Sequence, residues 1–151
     1  WVPPDNFHIT LKFLGAVKED TLADLQNVLQ ALSVKFKPFE LLLSEVGVFP
    51  DLSAPQVLWV GTRSAELEAL AKEIDSALEP LGFQLEKRSF VGHVTLARLK
   101  RGRIKQSWFD EKMTSFVPQN IAVKKITLYQ STLVDKSPVY KVLKHFRFDR
   151  D

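Results

Sequence analysis

The sequence predicts an α+β fold with mostly antiparallel sheets and outer helices, built as two related lobes. Two observations predict it. Stretches with strand alternation and stretches with helical spacing follow one another as strand, helix, two strands, helix, strand or strands, and a closing hairpin. That order lacks the regular βα repetition of a parallel sheet. In addition, a His-x-Thr-Leu frame occurs twice, in "NFHITLKFLG" (6–15) and "VGHVTLARLK" (91–100), with His8 and His93 lying 85 residues apart. The separation is too long for a solenoid unit and suits a duplicated half-domain.

Each element has its own signal. "FHITLKFLG" reads as a strand ended by Gly15 and approached through Pro3, Pro4 and Asp5. Leu22, Leu25, Leu29 and Leu32 recur at helical spacing, predicting an amphipathic helix over 21–33 capped by Asp20 or Thr21. "FELLLSEVGVF" (39–49) reads as one strand closed by "PDLSAP", and "VLWVG" (57–61) as a short buried strand paired with it. Ser64 opens a second helix with the core stripe Leu67, Leu70, Ile74 and Leu78, stopped by Pro80 and Gly82. "FQLEKRSF" leads into the strand "VGHVTLARL"; after a basic loop, "SWFDEKM" is expected to make one short helical turn. "IAVKKITLYQSTL" (121–133) and "VYKVLKHFRF" (139–148) alternate as two final antiparallel strands, with "VDKSP" as their hairpin connection.

A chain of 151 residues, 45% hydrophobic and 11% aromatic, fits one compact domain or two small lobes sharing a core. No apolar run approaches the ~18 residues that would read as a membrane span. The absence of cysteine excludes disulfides, thiolate nucleophiles and cysteine–zinc sites, and favours a reducing, cytoplasmic setting. Net charge is only +3, with a basic pI of about 9.2, so the charge balance hints at an anionic partner without establishing one. Local charge is more informative. "RLKRGRIK" places Arg98, Lys100, Arg101, Arg103 and Lys105 within eight residues directly after the second motif, with Lys87 and Arg88 upstream. A solvated loop explains such a run as well as a nucleic-acid backbone contact does.

Strand alternation puts His8, Thr10 and Lys12 on one face and Ile9, Leu11 and Phe13 on the other. In the second copy His93 and Thr95 share a face opposite Val94 and Leu96. Each strand therefore anchors itself by an aliphatic face and offers one imidazole with one hydroxyl, about 7 Å apart along the strand. A lone strand histidine is ordinarily a satisfied core residue. Thr at +2 and Leu at +3 of a given His arise by chance on the order of once in a hundred. Two such frames among three histidines are therefore not an accident. His145, in "LKHFRF", has no such frame and reads as structural or surface.

Imidazole titrates near neutrality, so one ring can act as base while a protonated partner acts as acid, without a cofactor. Threonine hydroxyls can donate to the non-bridging oxygens of a phosphate held between two such units, as an in-line displacement requires. Arg98 offers a bidentate cationic contact to the same phosphate. Strict alternation would turn it away from His93, so that role needs a bend or the strand's end there. Competing chemistries fit less well. Zinc would want three or four clustered ligands. The chain has no G-x-S-x-G elbow with an Asp partner, and no G-x-x-x-x-G-K-[ST] or G-x-G-x-x-G loop. A metal-independent phosphodiester site, with neither metal nor cofactor, fits best.

The paired H-h-T-h motifs resemble those of the 2H phosphoesterase superfamily, and within it the RNA 2′,3′-cyclic phosphodiesterases, also called 2′-5′ RNA ligases. "WVPPDNFHITLKFLG", "GVFP" followed by "QVLWVG", "LEPLGF", "RSFVGHVTLARL", and "LYQSTL" with "VYKVL" carry the resemblance across essentially the whole chain. It implies one bilobal domain over 1–151, with pseudo-twofold lobes and the two motifs facing each other across a central cleft. It also implies hydrolysis of a 2′,3′-cyclic phosphate RNA end to a 2′-phosphate, and the reverse 2′-5′ joining; the chain is expected to act as a monomer. His93 would be base and His8 acid, with Thr10, Thr95 and Arg98 on the phosphate; the basic run itself offers Lys100, Arg101, Arg103 and Lys105 to the RNA backbone. Two departures stand out. The family opens with a further strand and helix before "WVPP", so that segment is expected to be absent, and with it part of the pocket unless supplied otherwise. Gly92 stands where the family tends to have proline. The alternatives are a non-catalytic RNA-binding module and a 2H enzyme for another cyclic phosphate or a 2′-5′ linkage.

Overall fold

Strand alternation and helical spacing become seven strands and three α-helices among the residues that the computed structural model describes: 1–100, 103–135 and 137–149. In chain order they are α1 (Glu19–Ser33), β1 (Phe39–Leu43), β2 (Glu45–Phe49), β3 (Val57–Thr62), α2 (Ala65–Leu78), β4 (Gly92–Arg98), α3 (Gln106–Ser115), β5 (Gln119–Val123), β6 (Lys125–Val134) and β7 (Ser137–Arg147). The fold is α+β. β2, β3 and β4 form a three-stranded antiparallel sheet in the order β2-β3-β4, β6 and β7 form an antiparallel hairpin, and β1 pairs with β5.

The chain divides into two compact units, each discontinuous in sequence. The first contains Trp1–Leu11, Glu40–Glu68 and the described residues of Phe90–Ile121. Its core is the side of the sheet where Leu58 and Val60 of β3 meet Val94 and Ala97 of β4, all buried. "FELLLSEVGVF" does not run as one strand. It breaks at Ser44, whose N–H donates to the Gly61 carbonyl at 2.9 Å, so β1 and β2 enter different sheets. β2 pairs with β3 as the sequence predicts, from Glu45↔Gly61 to Phe49↔Val57.

"FHITLKFLG" also differs from expectation. Ile9 makes a single antiparallel bridge to Val94, and no longer strand forms there. The reason lies at Lys12, where the chain passes into the second unit. Its ammonium is bonded to Asp75 and to the Gln84 carbonyl, which draws the chain away after Leu11. "SWFDEKM" extends the other way, into the ten-residue helix α3 rather than one turn.

The second unit contains Lys12–Phe39, Ala69–Ser89 and the described residues from Ala122 onward. α1 buries Leu25, Leu29 and Leu32, and α2 buries Leu70, Ala71, Ile74 and Leu78 within it, as the leucine spacings require. Ile126 and Leu128 of β6, Phe146 of β7 and Phe148 just beyond it complete this core. α1 begins two residues before its expected start, and neither Asp20 nor Thr21 caps it. Lys18 holds the cap position without a side-chain bond, and Thr21 Oγ donates to Asp20 within the first turn. Ser64 does cap α2, its Oγ accepting the Leu67 N–H at 3.2 Å. Glu79–Leu81 add a 3-10 turn, and Gly82, at φ 89°, ends it. A side chain is strained at that φ, so the predicted stop has its cause in Gly82.

Asp75 ties this unit's loops to α2. Besides Lys12, it accepts the Glu86 N–H at 3.0 Å. The Lys12 hydrogen bond, helped by that N–H and opposed by burial, holds the Asp75 carboxyl below the usual carboxylate range. A lowered folded-state pKa gives stability that is complete above the unfolded value and lost as pH falls through the folded one. Asp75→Asn is therefore expected to destabilise at neutral pH by roughly 1–2 kcal/mol, near the low end for charge-assisted bonds because the side chain remains partly exposed. The gap between wild type and variant should begin to narrow below about pH 4. Urea denaturation of both proteins at pH 7 and pH 3 checks this; an unchanged gap would remove the ion pair as its cause.

Candidate active site

All four motif residues fall in the first unit, and one backbone pairing brings them together. The antiparallel bridge Ile9↔Val94 sets the register of the two segments. By that register His8 lies opposite Thr95 and Thr10 opposite His93. Cross-strand neighbours of this kind have Cβ atoms about 4.5–5.5 Å apart, and diagonal ones about 7–8 Å. The two imidazoles thus occupy one diagonal of a four-membered array and the two hydroxyls the other. Val94 is buried on the opposite face, while His8, His93 and Thr95 are half-buried and Thr10 is exposed. The N-terminal residues are tied to β4 a second time, through the Val2 N–H and the Leu96 carbonyl at 2.8 Å.

Both histidines are oriented in the same way. His8 Nδ1 lies 2.6 Å from the Asn6 carbonyl oxygen, and His93 Nδ1 lies 2.8 Å from the Val91 carbonyl oxygen. A carbonyl can only accept, so each Nδ1 carries the hydrogen and donates to the residue two positions back. That fixes Nε2 as the proton-accepting nitrogen of each neutral ring. The sequence motif contains half of this device. The carbonyl at −2 is main chain and leaves no mark in the side-chain pattern.

Arg98 is placed by an irregularity. The β3–β4 register runs Trp59↔Thr95 and then Leu58↔Ala97, so Leu96 is an extra residue and the strand bulges there. Alternation resumes one residue out of phase: Ala97 is buried beside the core and Arg98 is exposed on the face of His93 and Thr95. β4 thus both bulges before Arg98 and ends at it. Beyond it, the Leu99 N–H donates to the Gln56 carbonyl at 2.8 Å. Lys100, Arg103 and Lys105 are exposed between β4 and α3, with Lys105 at the cap position of α3; Arg101 lies outside the described residues.

Gly92, in the family's proline position, is buried, and a Cβ there would stand 2.9 Å from Leu67 Cδ2 and 3.0 Å from Thr62 Cγ2. Close packing against α2 and β3 accounts for a residue without a side chain. His145 sits on the final hairpin opposite Thr127, and its Nδ1 shares a hydrogen bond of 2.9 Å with the threonine hydroxyl. It belongs to the second unit, and the four motif residues to the first. Among the described residues, no group of three or more His, Asp or Glu side chains could hold a metal ion, and no helix is long and apolar enough to cross a membrane.

Two aromatic residues that the sequence reading did not single out adjoin His93. The Phe49 ring meets its imidazole nearly edge to face, with centroids 5.0 Å apart and planes at 83°. The Trp59 ring lies 6.0 Å from the same imidazole. Their signal in the sequence was the pair "GVF" and "LWVG", where glycines flank the aromatics, but pairing β2 with β3 was needed to give it meaning.

An array of two imidazoles and two hydroxyls, with a guanidinium on the same face, is suited to acid–base chemistry at a phosphoester. Comparison with known proteins leads to the same class. The sequence model of the LigT-like phosphoesterases matches residues 1–59 and 60–140, with one histidine motif in each match. The RNA 2′,3′-cyclic phosphodiesterase of Archaeoglobus fulgidus is 38% identical over 146 residues, covering 96% of this chain and 81% of that protein. That of Methanocaldococcus jannaschii is 36% identical over 147 residues, covering 96% and 82%. Among solved structures, the protein TT0787 of Thermus thermophilus superposes with a TM-score of 0.82 at 28% identity, over 97% of this chain and 80% of that one. E. coli LigT complexed with 3′-AMP superposes with a TM-score of 0.70 at 26% identity, over 99% and 80%. The chain belongs to the LigT-like phosphoesterase family.

Proposed function

We propose that the protein is a metal-independent RNA 2′,3′-cyclic phosphodiesterase, which opens the cyclic phosphate at an RNA end to leave a 2′-phosphate. The observation that carries this reading is the bridge Ile9↔Val94, because its register sets the two His-x-Thr units side by side in opposite directions. The names of the relatives at 36–38% identity support the substrate class.

In this reading His93 Nε2 takes a proton from water, whose oxygen attacks phosphorus in line with the 3′ oxygen. The bond from phosphorus to the 3′ oxygen breaks, and protonated His8 delivers its Nε2 hydrogen to the departing oxygen. Each imidazole keeps its Nδ1 hydrogen on a main-chain carbonyl throughout, so the proton exchanged is always the one on Nε2. Thr10 and Thr95 donate to the non-bridging oxygens, whose charge grows in the transition state, and Arg98 adds a cationic contact. With a 5′-hydroxyl in place of water, the reverse transesterification gives a 2′-5′ linkage. Lys100, Arg103 and Lys105, with Arg101 in the same run, contact phosphates further along the RNA. We assign the reaction to the cytoplasm and to a monomer.

The test is incubation with an oligonucleotide ending in a 2′,3′-cyclic phosphate, with EDTA present, followed by assignment of the product end. The expected product is a 2′-phosphate, formed at an EDTA-insensitive rate. A 3′-phosphate would overturn the leaving-group assignment, and loss of activity with EDTA would overturn the metal-free reading. Salt-dependent binding without turnover would instead favour an RNA-binding module, for which the exposed side chains of Arg98, Lys100, Arg103 and Lys105 are the supporting observation.

A further inference from the structure

We infer that Phe49 and Trp59 are positioning residues for His93, and that Gly47 and Gly61 exist to let them be. Trp59 lies on the array face of the sheet: its neighbours across β2 and β4 are Gly47 and Thr95, and Gly61 lies across from His93. A Cβ at Gly47 would fall 2.1 Å from Trp59 Cζ2, and one at Gly61 2.6 Å from Trp59 Cζ3. No real side chain tolerates such distances. The two glycines therefore clear a patch of sheet surface on which the indole lies flat.

Phe49 closes the arrangement. Its ring packs on Trp59 with centroids 5.1 Å apart and planes at 31°, and it meets the His93 imidazole edge-on. The three rings form one cluster, of which His93 is the only member able to exchange a proton. The Val91 carbonyl fixes the imidazole's tautomer and one in-plane direction. A single hydrogen bond leaves the ring free to swing about that nitrogen, and the two aromatic contacts remove this freedom. Together they aim Nε2. Aim matters here because misplacing a reacting group by about 1 Å can cost roughly 100-fold in rate. Edge-to-face packing suits the task, being directional as well as apolar.

The positioning role rests on the proposed role of His93, so its test uses two readouts. In steady-state kinetics on the cyclic-phosphate oligonucleotide, Phe49→Ala is expected to lower kcat about 10–100-fold with KM within about 3-fold. Phe49→Tyr, which keeps the ring, should stay within about 3-fold of wild type. Gly47→Ala touches neither His93 nor the phosphate, yet its methyl must displace the indole, so kcat should fall about 10-fold or more. The second readout needs no turnover. Imidazole nitrogen NMR of wild type should show His93 with its hydrogen on Nδ1, and in Phe49→Ala and Gly47→Ala the tautomer should persist while ring relaxation reports a more mobile imidazole. Unchanged kcat and unchanged His93 signals in both variants would overturn the inference. So would a rise in KM alone, which would make Phe49 a substrate contact. An inactive wild type whose His93 signals still respond to Phe49→Ala would overturn the proposed function and leave the positioning role supported.

Discussion

His93→Ala is expected to lower turnover of 2′,3′-cyclic-phosphate ends by about 10²–10⁴-fold, and His8→Ala by a similar factor. The size follows from what each ring does. In the proposed reaction neither proton transfer can be handed to a neighbour, since the cross-strand partners, Thr95 and Thr10, are hydroxyls unsuited to act as base or acid near neutrality. The two losses should not add. Once one transfer fails, the other group has no concerted step to serve, so the double variant should resemble the slower single one. The fold is expected to survive, because both side chains are half-buried and the bridge is main chain. Circular dichroism and the melting temperature verify this for each variant. If either histidine variant kept its rate within a few-fold of wild type while folded, the acid–base assignment would be wrong.

Phe146→Ala is expected to have the largest effect on stability, about 3–5 kcal/mol. Phe146 is fully buried on β7, opposite Ile126 of β6, in a unit where Leu25 and Leu70 are also fully buried. Replacing the ring leaves a cavity that strands held by cross-strand hydrogen bonds cannot collapse to fill. For a chain of this length the melting temperature should fall by roughly 6–20 °C. The kcat measured well below the transition should remain near wild type, because the motif residues lie in the other unit. Denaturant titration gives the free energy directly; a loss under about 1 kcal/mol would show that this core is looser than its burial implies.

How much of this was legible beforehand varies by residue. The two long helices were, because the leucine spacings of 22–32 and 67–78 leave only one face to bury, and Ser64 and Gly82 mark the second helix's ends by side-chain chemistry; α3 has no such stripe and reads as one turn. The pairing of β2 with β3 was legible from adjacency. The break at Ser44 was not, since both halves of "FELLLSEVGVF" alternate equally well and only the Gly61 carbonyl decides between them. Likewise, nothing in "HITLKF" announces that Lys12 is claimed by Asp75, 63 residues away, so the sequence predicts a longer strand through His8. The candidate site divides along the same line. Side-chain identity at fixed spacing gave His8, Thr10, His93 and Thr95. The bulge at Leu96, the two carbonyls behind the imidazoles and the rings beside His93 all depend on which backbone lies next to which, and a linear pattern does not encode that.

The bridge between Ile9 and Val94 has one more consequence. Two segments running in opposite directions through one paired residue are related by a local dyad, so each imidazole maps onto the other, and each hydroxyl likewise. A phosphorus atom centred on that dyad would see equivalent flanks. Acid and base would then be titles conferred by the oxygen that stands on each side, and a reaction run backwards would exchange the titles without moving a residue. In such a site, whether a phosphodiester is opened or sealed depends on which hydroxyl arrives.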